Sequence, residues 1–236
     1  MKTIGIIGFG SFGKYLAEKL SSHAKVLVYS QSGKASSWAA SLEAVAQADY
    51  VVLAVPLEAY EATLIALEPH LRPDSVLVDV CSVKVEPAAC IRRILPDQPL
   101  VVMHPMFGPE SAAASLAGHT CIMCPEVSTR QPYEVVRRFV DSLGLTVVEM
   151  SADAHDREIA VVQGLTFFIA RALNKMGVHD QSLHTPSFAR LLSLADLDLH
   201  HSADLFRTIQ KGNSHTPHIR KKLIAVLEDI EKDLSL

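Results

Sequence analysis

Residues 3–13 read TIGIIGFGSFG, five strand-like residues running directly into a G-x-G-x-x-G spacing at Gly8, Gly10 and Gly13. A helical stretch, FGKYLAEKL, follows at once. In that setting each glycine has its own reason. Gly8 permits a tight turn, Gly10 lets the backbone approach a pyrophosphate, and Gly13 lets a helix pack closely on the strand. Ser11 and Phe12 fall in the first turn of that helix, where free amides face negative charge. The spacing alone is a weak signal, but a strand before it and a helix after it make it the opening turn of a dinucleotide-binding fold. A glycine-rich turn with no ligand is the plainer alternative. The apolar run behind Lys2 resembles a signal peptide in outline, yet it breaks into glycines and has no small-residue cleavage site, so it reads as the first strand.

The pattern repeats outward from there. Apolar runs at 3–8, 25–30, 49–55, 75–80, 99–104, 120–124 and 145–150 alternate with helix-like stretches such as PYEVVRRFVDSL. Apolar strands alternating with helices predict a mostly parallel sheet covered on both faces. From residue 151 the beta-branched runs cease, and 3.6-residue periodicity covers 153–176, 186–197, 202–211 and 215–234. The expected fold is therefore α/β, an N-terminal Rossmann-type doubly wound sheet followed by a small all-helical domain. The first domain, 1–150, would bind the dinucleotide, and the second, 151–236, would serve substrate binding and dimerisation. VVQGLTFFIARAL is apolar nearly all round, which predicts burial on every side. So short a helical domain can hardly cover such a helix alone, and a homodimer through it is expected.

Composition narrows the function classes. The 236 residues carry a net charge of −4, with an isoelectric point near 6.2, so no basic footprint for nucleic acid or an anionic membrane is present. No apolar run approaches the roughly 20 residues that span a bilayer, and a cytoplasmic protein is expected. Cys121 and Cys124 form a C-x-x-C, but without a second pair and within an apolar strand-like run they read as buried thiols. No H-x-x-x-H or H-E-x-x-H occurs, and no metal is expected. His155-Asp156-Arg157-Glu158 reads as a helix start whose acids suit the positive end of the dipole.

Ligands of a doubly wound sheet sit outside the carboxyl ends of its strands. Three such ends stand out: AVPLE with Val55 and Pro56, DVCSVK with Ser82, and MHPMFGPES with His104. Val55 and Pro56 belong with the cofactor loop. Taken singly, Ser82 could be a helix N-cap and His104 a satisfied rim histidine. The second strand ends at VYSQSGK, with Ser30 where NAD-binding folds usually place the acid that holds the ribose 2′-hydroxyl. No carboxylate is there to repel a 2′-phosphate, and Ser30, Ser32 and Lys34 can donate to one. NADP is favoured, with NAD as the alternative.

Taken together, GFGSFG, DVCSVK, HPMFGPES, VEMSADAHD and the helix beginning VVQGLT closely resemble the prephenate and arogenate dehydrogenases of tyrosine biosynthesis, most nearly the compact plant-type arogenate enzymes. The resemblance runs from residue 4 to about 213. It implies that His104 is the catalytic histidine and Ser82 its hydroxyl partner, and that Gln163 and Thr185 occupy polar substrate-pocket positions. Arg207 resembles an arginine placed near the substrate carboxylate, although an exposed helix arginine reads equally well. The implied reaction is oxidative decarboxylation of arogenate or prephenate: neutral His104 takes the ring hydroxyl proton while hydride leaves C4 for the nicotinamide, and loss of carbon dioxide aromatises the ring. Two departures bear on the substrate. Phe167 stands where the family often has histidine in L-T-H, and His201 where plant arogenate enzymes carry an acid, a role open to Asp198 or Asp204. Rival readings are another NADP-dependent dehydrogenase or imine reductase, and a non-catalytic dinucleotide-binding protein.

Overall fold

The computed structural model describes residues 2–31, 33 and 37–235. The chain divides into two compact units, Met1–His155 and Asp156–Leu236. The division falls inside a helix, five residues beyond the expected boundary.

The first unit alternates β1 (Thr3–Ile7), α1 (Ser11–Leu20), β2 (Lys25–Tyr29), α2 (Leu42–Ala46), β3 (Tyr50–Leu53), α3 (Tyr60–Leu67), β4 (Val76–Asp79), α4 (Val85–Ile94), β5 (Leu100–Pro105), β6 (Thr120–Met123), α5 (Arg130–Ser142) and β7 (Thr146–Glu149). One sheet orders these strands β2-β1-β3-β4-β5-β6-β7. All neighbours are parallel except β5 and β6. The seven expected strands are the seven observed. They were legible because a parallel strand is buried on both faces and reads as a continuous apolar run. β5 shows the consequence: all six of its residues are buried. Val101 and Met103 belong to one core cluster and Leu100 and Val102 to the other, so alternate residues of one strand feed opposite faces. Tyr133, Val136 and Val140 of α5 are the helical counterpart, a single buried stripe. Cys121 and Cys124 are buried, outside any disulfide, and in different clusters, and burial pushes the Cys121 thiol up to about 12. Among the described residues no cluster suited to a metal ion occurs, and no helix is long and apolar enough to cross a membrane.

A helix α6 (Ala152–Ile159) links the units. The second unit continues it through a π-helical turn, Ala160–Leu165, into α7 (Thr166–Lys175), followed by α8 (Pro186–His200), α9 (Ala203–Gly212) and α10 (Thr216–Leu234). The His155–Glu158 stretch does not start the helix. Ser151 caps it earlier, accepting from Ala154 N at 3.1 Å, and the Glu126 carboxylate takes Ala152 N at 2.5 Å. The π turn frees backbone groups that side chains recover. Gln210 Nε2 donates to Gly164 O at 2.6 Å and Asn213 Nδ2 to Asp156 O at 2.6 Å. Burial on every side does not hold within one chain, since Val161 and Val162 are 47% and 55% exposed.

Candidate active site

The strand order places a switch point between β1 and β3, where neighbouring crossovers leave in opposite directions and open a crevice. The glycine loop lies there. Gly8 has φ +108°, a conformation that side chains disfavour, and a Cβ on it would meet Ala54 O at 2.3 Å. A Cβ on Gly13 would meet Gly8 O at 2.2 Å, whereas around Gly10 there is open space. The turn is thus closed at Gly8 and Gly13 and open only at Gly10. Gly10 caps α1 without a side-chain bond, and the first turn holds no acid. The amides of Ser11, Phe12 and Gly13 are left for an anion. Val55, after β3, packs against the loop, with Cγ1 3.1 Å from the position of a Gly8 Cβ; Pro56 follows it. Gly8 N also donates to Tyr29 O at 2.8 Å, which brings Ser30, half-buried, to the same end of the sheet. These residues fit a dinucleotide pyrophosphate. Ser32 and Lys34 lie outside the described residues.

A second group forms where β4 and β5 end. Asp79 closes β4, and its Oδ2 takes Lys84 Nζ at 2.5 Å. Both side chains are 0% exposed. Asp79 Oδ1 accepts from Tyr60 OH at 2.6 Å and from Cys81 N at 3.0 Å. Lys84 Nζ also donates to Met103 O at 2.7 Å, tying the DVCSVK loop to the residue before His104. A buried ion pair needs such additional bonds to offset desolvation.

His104 does not sit on an open rim. It lies within β5, paired in register with Ile122, and is only 4% exposed. Its Nδ1 faces His155 Nε2 at 2.9 Å. Burial, then His155, then the Lys84 charge hold the His104 imidazole well below its ordinary value, so it stays neutral. Ser82 lies half-buried in the loop after β4. It does not cap α4, whose N-cap is Lys84. Among the described residues the hydrogen bond at His104 Nδ1 is shared with His155 and not with Ser82. Sequence reading passed over His155, although the histidine stands in the AHD of VEMSADAHD. It also missed the Asp79–Lys84–Tyr60 network, of which only the S-V-K loop was visible.

In the second unit, Gln163 occupies the π turn, and its Oε1 is buried with no hydrogen-bond partner among the described residues. Thr185 caps α8, accepting from Phe188 N at 3.1 Å. Arg207 pairs with Asp204 one turn away. Asp198 holds Arg171 Nε at 2.5 Å and accepts from Asn174. The two positions that depart from the resembled pattern meet: the Phe167 and His201 rings lie 4.3 Å apart, centroid to centroid.

Residues 24–149 match the family model described as prephenate dehydrogenase, nucleotide-binding domain. Arogenate dehydrogenase 2, chloroplastic, of Arabidopsis thaliana is 29% identical over 98% of this chain and 69% of its own length. A protein named probable arogenate/prephenate dehydrogenase from Methanocaldococcus jannaschii is 25% identical over 81% of the chain, which spans only 45% of that relative. Among solved structures, prephenate dehydrogenase from A. aeolicus in complex with hydroxyphenyl propionate and NAD+ matches with a TM-score of 0.72. That likeness covers 100% of this chain and 92% of that one at 22% identity, and it supports the fold.

Proposed function

The chain belongs to the prephenate dehydrogenase family, and on that premise we propose that it catalyses the NAD(P)-dependent oxidative decarboxylation of prephenate or arogenate in tyrosine biosynthesis. The observation that carries the reading is a neutral, buried histidine at the end of β5 in the same unit as an uncapped glycine loop. The nicotinamide, when bound, supplies the hydride acceptor. His104 takes the proton of the C4 hydroxyl, and the O–H electron pair becomes the carbonyl bond as the C4 hydride departs. The electrons of the C1–carboxylate bond then enter the ring, carbon dioxide leaves, and His104 returns the proton to the phenolic oxygen. A positioned base of this kind contributes about 10²–10⁴ in rate. Ser82 orients the hydroxyl. Gln163, Thr185 and Arg207 remain substrate-binding proposals on the strength of the family resemblance, with the unpartnered Gln163 oxygen as added support.

Prephenate is the better fit of the two substrates. Arogenate carries an ammonium where prephenate has a ketone, His201 stands where an acid would receive it, and the nearby Asp198 is already held by Arg171. NADP is the proposed cofactor because Ser30, not an acid, follows β2. Free thiols at all four cysteines suit a reducing compartment, and the proposed location is the cytoplasm.

A homodimer through the helical unit is also proposed. Along α10, Leu223, Leu227, Ile230 and Leu234 recur at intervals of four, three and four, the seam of a coiled coil. Leu227, Ile230 and Leu234 are largely exposed. Arg220, Lys221 and Lys222 precede this stripe's centre, while Glu228, Asp229, Glu231 and Asp233 follow it with Lys232 as the one cation among them. Two antiparallel copies would bring opposite charges together about a twofold axis.

The deciding experiment supplies prephenate and arogenate, each with NAD and with NADP, and follows reduced cofactor with identification of the product. Turnover of prephenate with NADP to an aromatic product is expected; oxidation of neither substrate would overturn the reading.

A further inference from the structure

We infer that His155 is a positioning residue for His104, fixing its proton on Nδ1 so that Nε2 is the basic nitrogen; the kinetic part of this inference rests on the function proposed above.

Geometry carries it. The two imidazoles stand edge to face, with ring planes 70° apart and centroids 5.1 Å apart. Nδ1 of one lies 2.9 Å from Nε2 of the other. A contact that short between two nitrogens is a hydrogen bond only if one carries a proton and the other a lone pair. Both rings are buried, at 4% and 0% exposure, so two protonated rings there would place like charges side by side out of water. In the neutral pair one ring donates. If His104 donates from Nδ1, its Nε2 keeps the lone pair that a base requires, and His155 carries its own proton on Nδ1. When Nε2 takes the substrate proton, the new imidazolium already has its other N–H bonded to an acceptor, and no group need move. The reverse arrangement spends the His104 Nδ1 lone pair on His155 and leaves a proton on Nε2, where it blocks the base.

Both rings are held in place from the backbone. Met103 O is anchored by Lys84, immediately before His104. The helix carrying His155 has its first turn fixed by Glu126 and Ser151, and His155 N itself donates to Ser151 O at 2.9 Å. An orienting partner on the far nitrogen is the usual device for selecting a histidine tautomer.

The test compares wild type with His155→Gln, whose amide oxygen can accept from Nδ1, and His155→Leu, which cannot. Nitrogen NMR of histidine-labelled protein, without substrate, reads the tautomer directly. Wild type and His155→Gln should show His104 protonated at Nδ1, and His155→Leu should lose that preference. In His155→Leu, kcat should fall roughly 10- to 100-fold, about the effect of losing one buried hydrogen bond in the transition state, while KM and cofactor Kd stay within about twofold. His155→Gln should recover most of the rate. The inference is overturned if His155→Leu leaves His104 protonated at Nδ1, or if Gln and Leu lose activity equally. Should the tautomers behave as stated while wild type oxidises neither prephenate nor arogenate, the functional reading fails and the positioning role stands.

Discussion

Replacing Lys84 with Met is the sharpest perturbation this structure offers. Lys84 and Asp79 are both fully buried, and the ammonium bonds Asp79 Oδ2 and Met103 O. Met keeps most of the volume and removes the charge, leaving the Asp79 carboxylate buried with Tyr60 OH and Cys81 N as its donors among the described residues. Removing one member of such a pair costs about 3–5 kcal/mol. At roughly 2–4 °C per kcal/mol for a unit of this size, Tm of the first unit should drop by about 6–20 °C. Adding Asp79→Asn should recover most of that loss, because the amide oxygen still accepts from Tyr60 and no charge is stranded. Thermal unfolding followed by circular dichroism measures both variants. The same change acts on His104, since the Lys84 charge is one of the causes holding it down. Without that charge the imidazole protonates more readily, and the acid limb of kcat/KM should move to higher pH. A single variant within about 1 kcal/mol of wild type, or a double variant no better than the single, would refute the account of two buried charges that depend on each other.

His104→Asn should lower kcat by roughly 10²–10⁴ with cofactor affinity nearly unchanged, and the wild-type acid limb should lie below 6.5, the ordinary histidine value that burial, His155 and Lys84 depress. The same depression makes the unfolded chain take up the proton first, so stability measured by denaturant titration should be flat above about 6.5 and fall as pH drops below it. Ser30→Asp should turn the cofactor preference from NADP to NAD in kcat/KM, because a carboxylate repels the 2′-phosphate and binds the free hydroxyl; a wild-type preference for NAD would contradict the Ser30 reading. Leu227→Glu should give a monomer by sedimentation where wild type is a dimer, and the wild-type dimer should weaken with salt if the charge halves of α10 pair as described.

What was legible in the sequence follows from range. The strands and the glycine loop are local: a doubly buried strand shows as an apolar run, and Gly8 and Gly13 are demanded by atoms of their own turn and of the adjacent β3 end. His104 could be singled out because Pro105 ends its strand and the loop resembles a known family. His155 could not be paired with it, since the contact joins residues 51 positions apart and depends on how α6 packs on β5. Lys84 could not be singled out, because nothing local shows that Asp79 and the Met103 carbonyl close around it. The π turn was invisible for a different reason. Its freed carbonyls are recovered by Gln210 and Asn213 reaching back from later in the chain, and hydrophobic periodicity cannot register an extra residue in a turn.

The ring contact between Phe167 and His201 makes those two positions one unit of variation. A carboxylate at 201 alone would press on the electron-rich face of the Phe167 ring, and a residue change at 167 alters the surface on which the 201 side chain rests. The measured effects of the two exchanges will therefore not add. Directed evolution that samples one site at a time would then miss combinations that only the pair reveals.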